Sequence, residues 1–231
     1  MTEQTPPQTL DELRQAIDSV DQRLRLLLAE RMGYAKAVAA AKSHKTKSHQ
    51  AKPIYYRPAR EAQMLRRLVS ELAIEAGDFP LRSLAQVQRE LISASIEHQA
   101  KSLPVAVHST VGQALAQSHF GAAATAIMVG SASQVETTVE QGRALVGLID
   151  ANSLDGLRGA PVQVVARLPM LLPSDQPTHY VLAAQSAETS GDDQWISRDQ
   201  SGQLHVHDQE PSGTQEVLGL FATPVSLDKP A

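Results

Sequence analysis

There is no cysteine in this sequence. That excludes a disulfide framework and a thiolate metal site. No apolar run reaches the ~18 residues that a membrane-spanning helix needs. The opening stretch, MTEQTPPQTL, has neither a basic n-region nor an apolar h-region, so no signal peptide is expected. Together these absences lead to the expectation of a soluble cytoplasmic protein. Glycine is scarce in the first half: 11 of the 13 glycines follow residue 103. Charge divides at the same place. Residues 1–103 carry 16 Lys+Arg and 12 Asp+Glu, whereas residues 104–231 carry 5 and 13. Two domains of different kinds are expected, 1–103 and 104–231, with the boundary near Ser102–Pro104. The 231 residues are 42 % hydrophobic, enough to pack a core in each.

The first half is helical by periodicity. Leu13, Ile17, Val20, Leu24, Leu27, Arg31, Tyr34, Val38 and Ala41 step by four and three, a heptad seam. Thr9 is the expected N-cap, with Glu12 completing a capping box. From Leu10 to Lys42 the helix is ~50 Å long at 1.5 Å per residue. A compact domain of this size has a radius of gyration of only ~13 Å, so the stripe calls for a partner chain. The polar stretch SHKTKSHQAKP, residues 43–53, reads as a loop. A second helix is expected from Pro58 to near Gly77. A third is expected from Leu81 to Ala100, with Leu84, Val87, Leu91 and Ala94 on its apolar face. An interlocked helical dimer built by residues 1–103 alone is the expected assembly.

Several polar residues fall on inward faces. Arg31 stands where the seam calls for leucine, and a buried unpaired guanidinium is very costly. Lys42 is eleven residues on, three turns, and shares its face. Arg60 and Glu61 open the second helix, and Ser95 and Gln99 lie at i and i+4 on the third. Glu61 is one candidate anion for Arg31. Cations outnumber such anions, so a ligand bearing carboxylates completes the set better.

The stretches "LDELRQAIDSVDQRLRLLLAERMGYAKAVAAAK", "IYYRPAREAQMLRRL" and "VQRELISASIEHQ" resemble the all-helical chorismate mutases over residues 8–100. The middle stretch is most similar to the mutase segment of bifunctional chorismate mutase–prephenate dehydratases. The resemblance implies a three-helix protomer, an intertwined homodimer and two active sites. It implies that Arg14 is supplied by the partner chain and that Arg31 binds the substrate's enolpyruvyl carboxylate. Lys42 and Gln99 would face the ether oxygen, and Ser95 the ring carboxylate. Arg60 and Glu61 match an arginine–glutamate pair whose glutamate holds the substrate hydroxyl. Arg57 stands where the family often has aspartate, so the hydroxyl side is expected to be wired differently.

The implied chemistry suits these residue types. Chorismate is a dianion that rearranges to prephenate by a concerted [3,3] shift, with no cofactor and no metal. Arginine forks match carboxylates. Holding the reactive conformer is orientational catalysis, and donors at the ether oxygen are electrostatic preorganisation. The catalytic set expected is Arg31, Lys42 and Gln99. The basic loop has no aromatic interleaving, so no nucleic-acid partner is expected. His44 and His49, and His205 and His207, have no carboxylate or cysteine at ligand spacing, so they read as exposed histidines rather than metal ligands.

In the second half, PVAVH, ATAIMVG and ALVGLID read as strands among helical runs, a small α/β domain. "HFG", "SASQVETTVEQGRALVGLID", "ARLPMLLP" and "PTHYVLAAQ" resemble parts of a prephenate dehydratase domain. Only a few residues separate the last two, where that family has most of a second lobe. The family's Thr-Arg-Phe is Thr178–His179–Tyr180 here, without the arginine. A cleft enzyme lacking one wall has no closed pocket. The expected reading is a degenerate, non-catalytic lobe, with residues 186–216 as loops around a short hairpin. A bifunctional mutase–dehydratase and a non-catalytic helical interaction module are the alternatives.

Overall fold

The computed structural model describes residues 9–49, 54–75, 79–171 and 178–226, without the side chains of 43–49 and 71–75. Helix α1 spans Leu10–His49. The capping box forms as expected: the Thr9 amide donates to Glu12 Oε2 at 2.8 Å, and the Glu12 amide to Thr9 Oγ1 at 3.2 Å. The expected loop at 43–53 is corrected for its first part, since α1 runs on through His49. No glycine or proline interrupts SHKTKSH, so no residue in it breaks the helix. Residues 50–53 lie outside the described residues. The rest of the seam is exposed in the single chain: Ile17 is 59 % exposed, Leu27 61 % and Tyr34 66 %.

By compactness the chain divides into residues 1–53 and 54–231. The expected boundary at 103/104 therefore falls inside the second unit. Helix α2 runs Pro58–Glu75 and α3 Leu81–Ala100; the expected stop at Gly77 is outside the described residues. Then follow β1 Leu103–Val107, α4 Thr110–Phe120, β2 Ala124–Met128, α5 Ala132–Glu140 and β3 Val146–Asp150. Strands β4 Gln163–Leu168, β5 His179–Ala183, β6 Asp193–Arg198, β7 Leu204–His207 and β8 Glu216–Ala222 complete one eight-stranded sheet. Its order is β2-β1-β3-β5-β4-β8-β6-β7. β1 is parallel to β2 and β3, as short strand–helix–strand units require, and the rest is mixed. β6 and β7 are the expected hairpin.

Both sheet faces are buried, and the strands divide their side chains with period two. Val105, Val107, Leu148 and Val181 join Tyr56, Leu65, Val69, Ala85, Ile96 and Phe120 in one core. Ala106, Ile149, Tyr180 and Leu182 join Val135 and Val139 of α5 in the other. Thus α2 and α3 bury a face in the α/β unit. The buried residues of α3 are Ala85, Ser93, Ser95 and Ile96, not the expected Leu84–Val87–Leu91–Ala94 face, and Val87 is 46 % exposed. The contacts of α3 with β1 and α4 choose the stripe.

Gly147 sets the spacing of α5 on the sheet. A Cβ there would run into Val135 Cγ1 and meet Val139 Cγ2 at 3.0 Å. Those β-branched side chains have little rotamer freedom. Gly147→Ala is therefore expected to destabilise the protein by about 1–3 kcal/mol, as overpacking does. Chemical denaturation of the two proteins checks this, and equal midpoints would show that α5 is not tightly seated.

Candidate active site

The first unit carries Arg14, Arg31 and Lys42 on α1. Arg14 is exposed and pairs with Asp11 at 3.3 Å, one turn away. Arg31 and Lys42 are both half-buried. Burial lowers the Arg31 pKa from its ordinary value, the direction expected when a cation loses water. Even so, arginine stays charged at any ordinary pH.

The second unit carries the other candidates. Pro58 starts α2, which puts Arg57 just ahead of the helix and Arg60 and Glu61 in its first turns. Arg57 makes a two-pronged pair with Glu188, Nε to Oε2 at 2.8 Å and Nη2 to Oε1 at 2.9 Å. The departure at position 57 thus has a physical account: the fork ties the start of α2 to the region after β5. Arg60 is exposed. Ser95 is buried, and its Oγ donates to the Leu91 carbonyl at 2.7 Å, a back-bond within α3. Gln99 is half-buried one turn on.

Glu61 is 5 % exposed. Its Oε1 lies 3.6 Å from Arg89 Nε of α3, and its Oε2 lies 3.8 Å from His119 Nε2 of α4. The Tyr56 hydroxyl is 3.3 Å from the same His119 nitrogen. Phe120 stands edge-on to both rings, at 5.2 Å from Tyr56 and 4.7 Å from His119. Burial raises the Glu61 carboxyl from 4.5 to about 7, and the Arg89 cation opposes that rise. Burial pushes His119 well below 6.5, with the Arg89 charge adding to the effect, so the imidazole is neutral. Burial also pushes the Tyr56 phenol up, reinforced by Glu61. Arg89, His119 and Tyr56 were not singled out from the sequence. A weak signal existed, since Arg89 sits four residues from both Ala85 and Ser93 on the buried stripe.

A second polar cluster lies at the carboxyl ends of β1 and β3. His108 Nε2 is 3.1 Å from Asp150 Oδ2, and Ser153 Oγ donates to the same oxygen at 2.9 Å. His179 is 4 % exposed nearby, and burial lowers its pKa, with Asp150 opposing. Near the hairpin, His205 Nε2 meets Asp199 Oδ2 at 2.9 Å and His207 Nε2 meets Ser197 Oγ at 2.9 Å. A carboxylate does therefore reach His205, brought by the turn rather than by helical spacing. Among the described residues no three His, Cys, Asp or Glu side chains form a group able to hold a metal ion. Among the same residues no helix is long and apolar enough to cross a membrane.

Residues 13–100 match the model of the family described as chorismate mutase type II. Curated relatives are named bifunctional chorismate mutase/prephenate dehydratase. The one from Pseudomonas aeruginosa is 31 % identical over 150 residues, 64 % of this chain and 40 % of the relative. That from Stutzerimonas stutzeri is 29 % identical over 151 residues, again 64 % and 40 %. That from Neisseria gonorrhoeae is 30 % identical over 167 residues, 69 % and 43 %. The chain thus spans about 40 % of the length of these relatives. No solved structure matches at a significant level. The segment that carries Arg31, Lys42, Arg60, Glu61, Ser95 and Gln99 lies wholly within the residues that match the chorismate mutase type II family.

Proposed function

We propose that this protein is a chorismate mutase, rearranging chorismate to prephenate in the biosynthesis of phenylalanine and tyrosine in the cytoplasm. The carrying observation is the type II mutase match over residues 13–100, with cationic side chains at the positions that the reaction needs. The reading assigns Arg31 and Arg14 to the substrate carboxylates, with Arg14 coming from the partner chain. Lys42 and Gln99 donate to the breaking ether oxygen, Ser95 serves the ring carboxylate, and Arg60 and Glu61 serve the hydroxyl side. Arg57, held by Glu188, supports that side by fixing the start of α2. No proton leaves the substrate and no covalent intermediate forms. Catalysis comes from holding the folded conformer and from donors placed where negative charge grows.

The reading also makes the protein a homodimer. Leu13, Ile17, Val20, Leu24 and Leu27 are 44–61 % exposed along one stripe of α1. A helix that presents such a seam to water gains most by burying it against another, at about 25 cal/mol per Å² of apolar surface. The seam supports a two-chain bundle of the helical segments as the unit of activity.

We further propose that residues 104–231 have no dehydratase activity. β4 passes into β5 as its antiparallel neighbour, with Leu168 opposite His179. Only ten residues lie between Leu168 and His179, too few for a second lobe at that point, and position 179 holds histidine rather than arginine. Incubating the purified protein with chorismate tests both statements. Chorismate should be lost and prephenate should accumulate, with phenylpyruvate no faster than its non-enzymatic formation at neutral pH. Rapid phenylpyruvate would establish a bifunctional enzyme, and no chorismate loss would leave the helices an interaction module.

A further inference from the structure

We propose that Arg89 is a positioning residue for the mutase reaction, fixing the Glu61 carboxylate from α3 while His119 of α4 closes the space around it. The proposal rests on the mutase reading above, and adds to it Arg89 of α3 and, from the α/β region, His119 of α4. Three observations carry it. First, Glu61 is buried, at 5 % exposure, with Arg89 and His119 beside it. A carboxylate in such a place is costly unless a cation faces it. Second, the nearby cation is Arg89, whose side chain is 11 % exposed and whose Nε lies 3.6 Å from Oε1. Arg89 Nε and Nη2 find no hydrogen-bond partner among the described residues. The guanidinium thus acts on Glu61 by charge at a distance longer than a hydrogen bond, which does not commit the carboxylate's lone pairs. A carboxylate that must accept a substrate hydroxyl needs just that. Third, two polar side chains beside Glu61, His119 and Tyr56, are neutral. His119, at 3.8 Å, is held neutral by burial, and Tyr56, hydrogen-bonded to His119, is held protonated. Arg89 on α3 supplies a cationic charge that acts on the Glu61 carboxyl.

The consequence is a pH dependence with a fixed sign. Glu61 titrates at about 7, raised by burial and restrained by Arg89. Its ionised form accepts the substrate hydroxyl, so turnover should rise with pH through about 7. Removing the Arg89 charge leaves burial unopposed, and the midpoint must move up. In the full-length protein, Arg89→Gln should raise it by a unit or more. The expected loss in kcat/KM is about fivefold at pH 7, closing by about pH 9. Arg89→Lys, which keeps the charge, should restore the wild-type midpoint. A uniform loss at all pH values in Arg89→Gln would mean a merely structural role and would overturn the proposal.

Glu61 itself is followed in parallel by carbon-13 NMR of labelled glutamate side chains, with Glu61→Gln to assign the signal. If the wild type does not turn over chorismate but Arg89→Gln still shifts the Glu61 titration, the mutase reading has failed and the Arg89–Glu61 coupling stands. If the wild type is active and the Glu61 titration does not move, the coupling has failed and the mutase reading stands. Should Arg89→Gln not fold, the neutral pair Glu61→Gln/Arg89→Gln, which leaves no lone buried charge, replaces it. Equal rates for this pair and Glu61→Gln alone support the proposal, because Arg89 then acts only through Glu61. A further loss in the pair overturns it.

Discussion

Arg31→Ala and Lys42→Ala should each lower the rate of chorismate conversion a hundredfold or more while leaving α1 helical. The magnitude follows from the chemistry. One charged donor aimed at developing negative charge in a water-poor site supplies ~3–4 kcal/mol, and every 1.36 kcal/mol is tenfold in rate. Arg31 is already partly stripped of water, as its lowered pKa shows, so its charge is screened less than that of an exposed arginine such as Arg14. Alanine is the best helix former, and the helix backbone should survive both changes. Arg31→Lys is expected to recover part of the loss only, because a compact ammonium cannot present the two-pronged fork to a carboxylate. Steady-state kinetics with far-UV circular dichroism decide the matter. Near-wild-type turnover in both folded variants would falsify the assignment of α1 to the substrate.

Cutting the chain after Leu103 should abolish the native packing of α2 and α3. Their buried face is shared with the sheet: Leu65 is 0 % exposed, Tyr56 1 %, Ile96 5 % and Val69 7 %, all in one cluster with Val105, Phe120 and Val146. Fully burying each such large side chain contributes roughly 1.5–3 kcal/mol, so four of them contribute on the order of 6–12 kcal/mol. That is comparable with the whole stability of a small domain, about 5–15 kcal/mol. Polar ties would be lost as well. Arg66 Nη1 donates to the Ser190 carbonyl at 3.1 Å and Nη2 to the Asp192 carbonyl at 2.6 Å, and Gln185 Nε2 donates to the Tyr56 carbonyl at 2.7 Å. The expectation that residues 1–103 are self-sufficient thus meets a fold in which α2 and α3 lean on later residues. The fragment should expose apolar surface, seen as dye binding and a broadened, non-cooperative thermal transition. A fragment that melts cooperatively with wild-type chorismate turnover would show that a partner chain can replace the sheet.

The long first helix, its capping box and its heptad seam were legible because their causes are local: caps within three residues and contacts at i+3 and i+4. The strands at 103–107, 124–128 and 146–150 were legible for a similar reason, being short β-branched or apolar runs between turn signals. The likeness to the chorismate mutases was legible in the quoted stretches, and residues 13–100 match that family. The sequence did not show where α1 ends, since a polar stretch without a period can be loop or solvated helix. It did not show which stripe of α3 is buried, because both stripes carry apolar residues and the choice belongs to α4 and the sheet. Nor did it show that Arg57 pairs with Glu188, which the fold brings to it across 131 residues. The state of Glu61 was decided in the same way. Its sequence neighbours give it an ordinary carboxyl, and only the tertiary structure encloses it with Arg89 and His119. Ionisation depends on solvent and charge within a few ångströms, and in a folded chain those surroundings come from residues far apart in sequence.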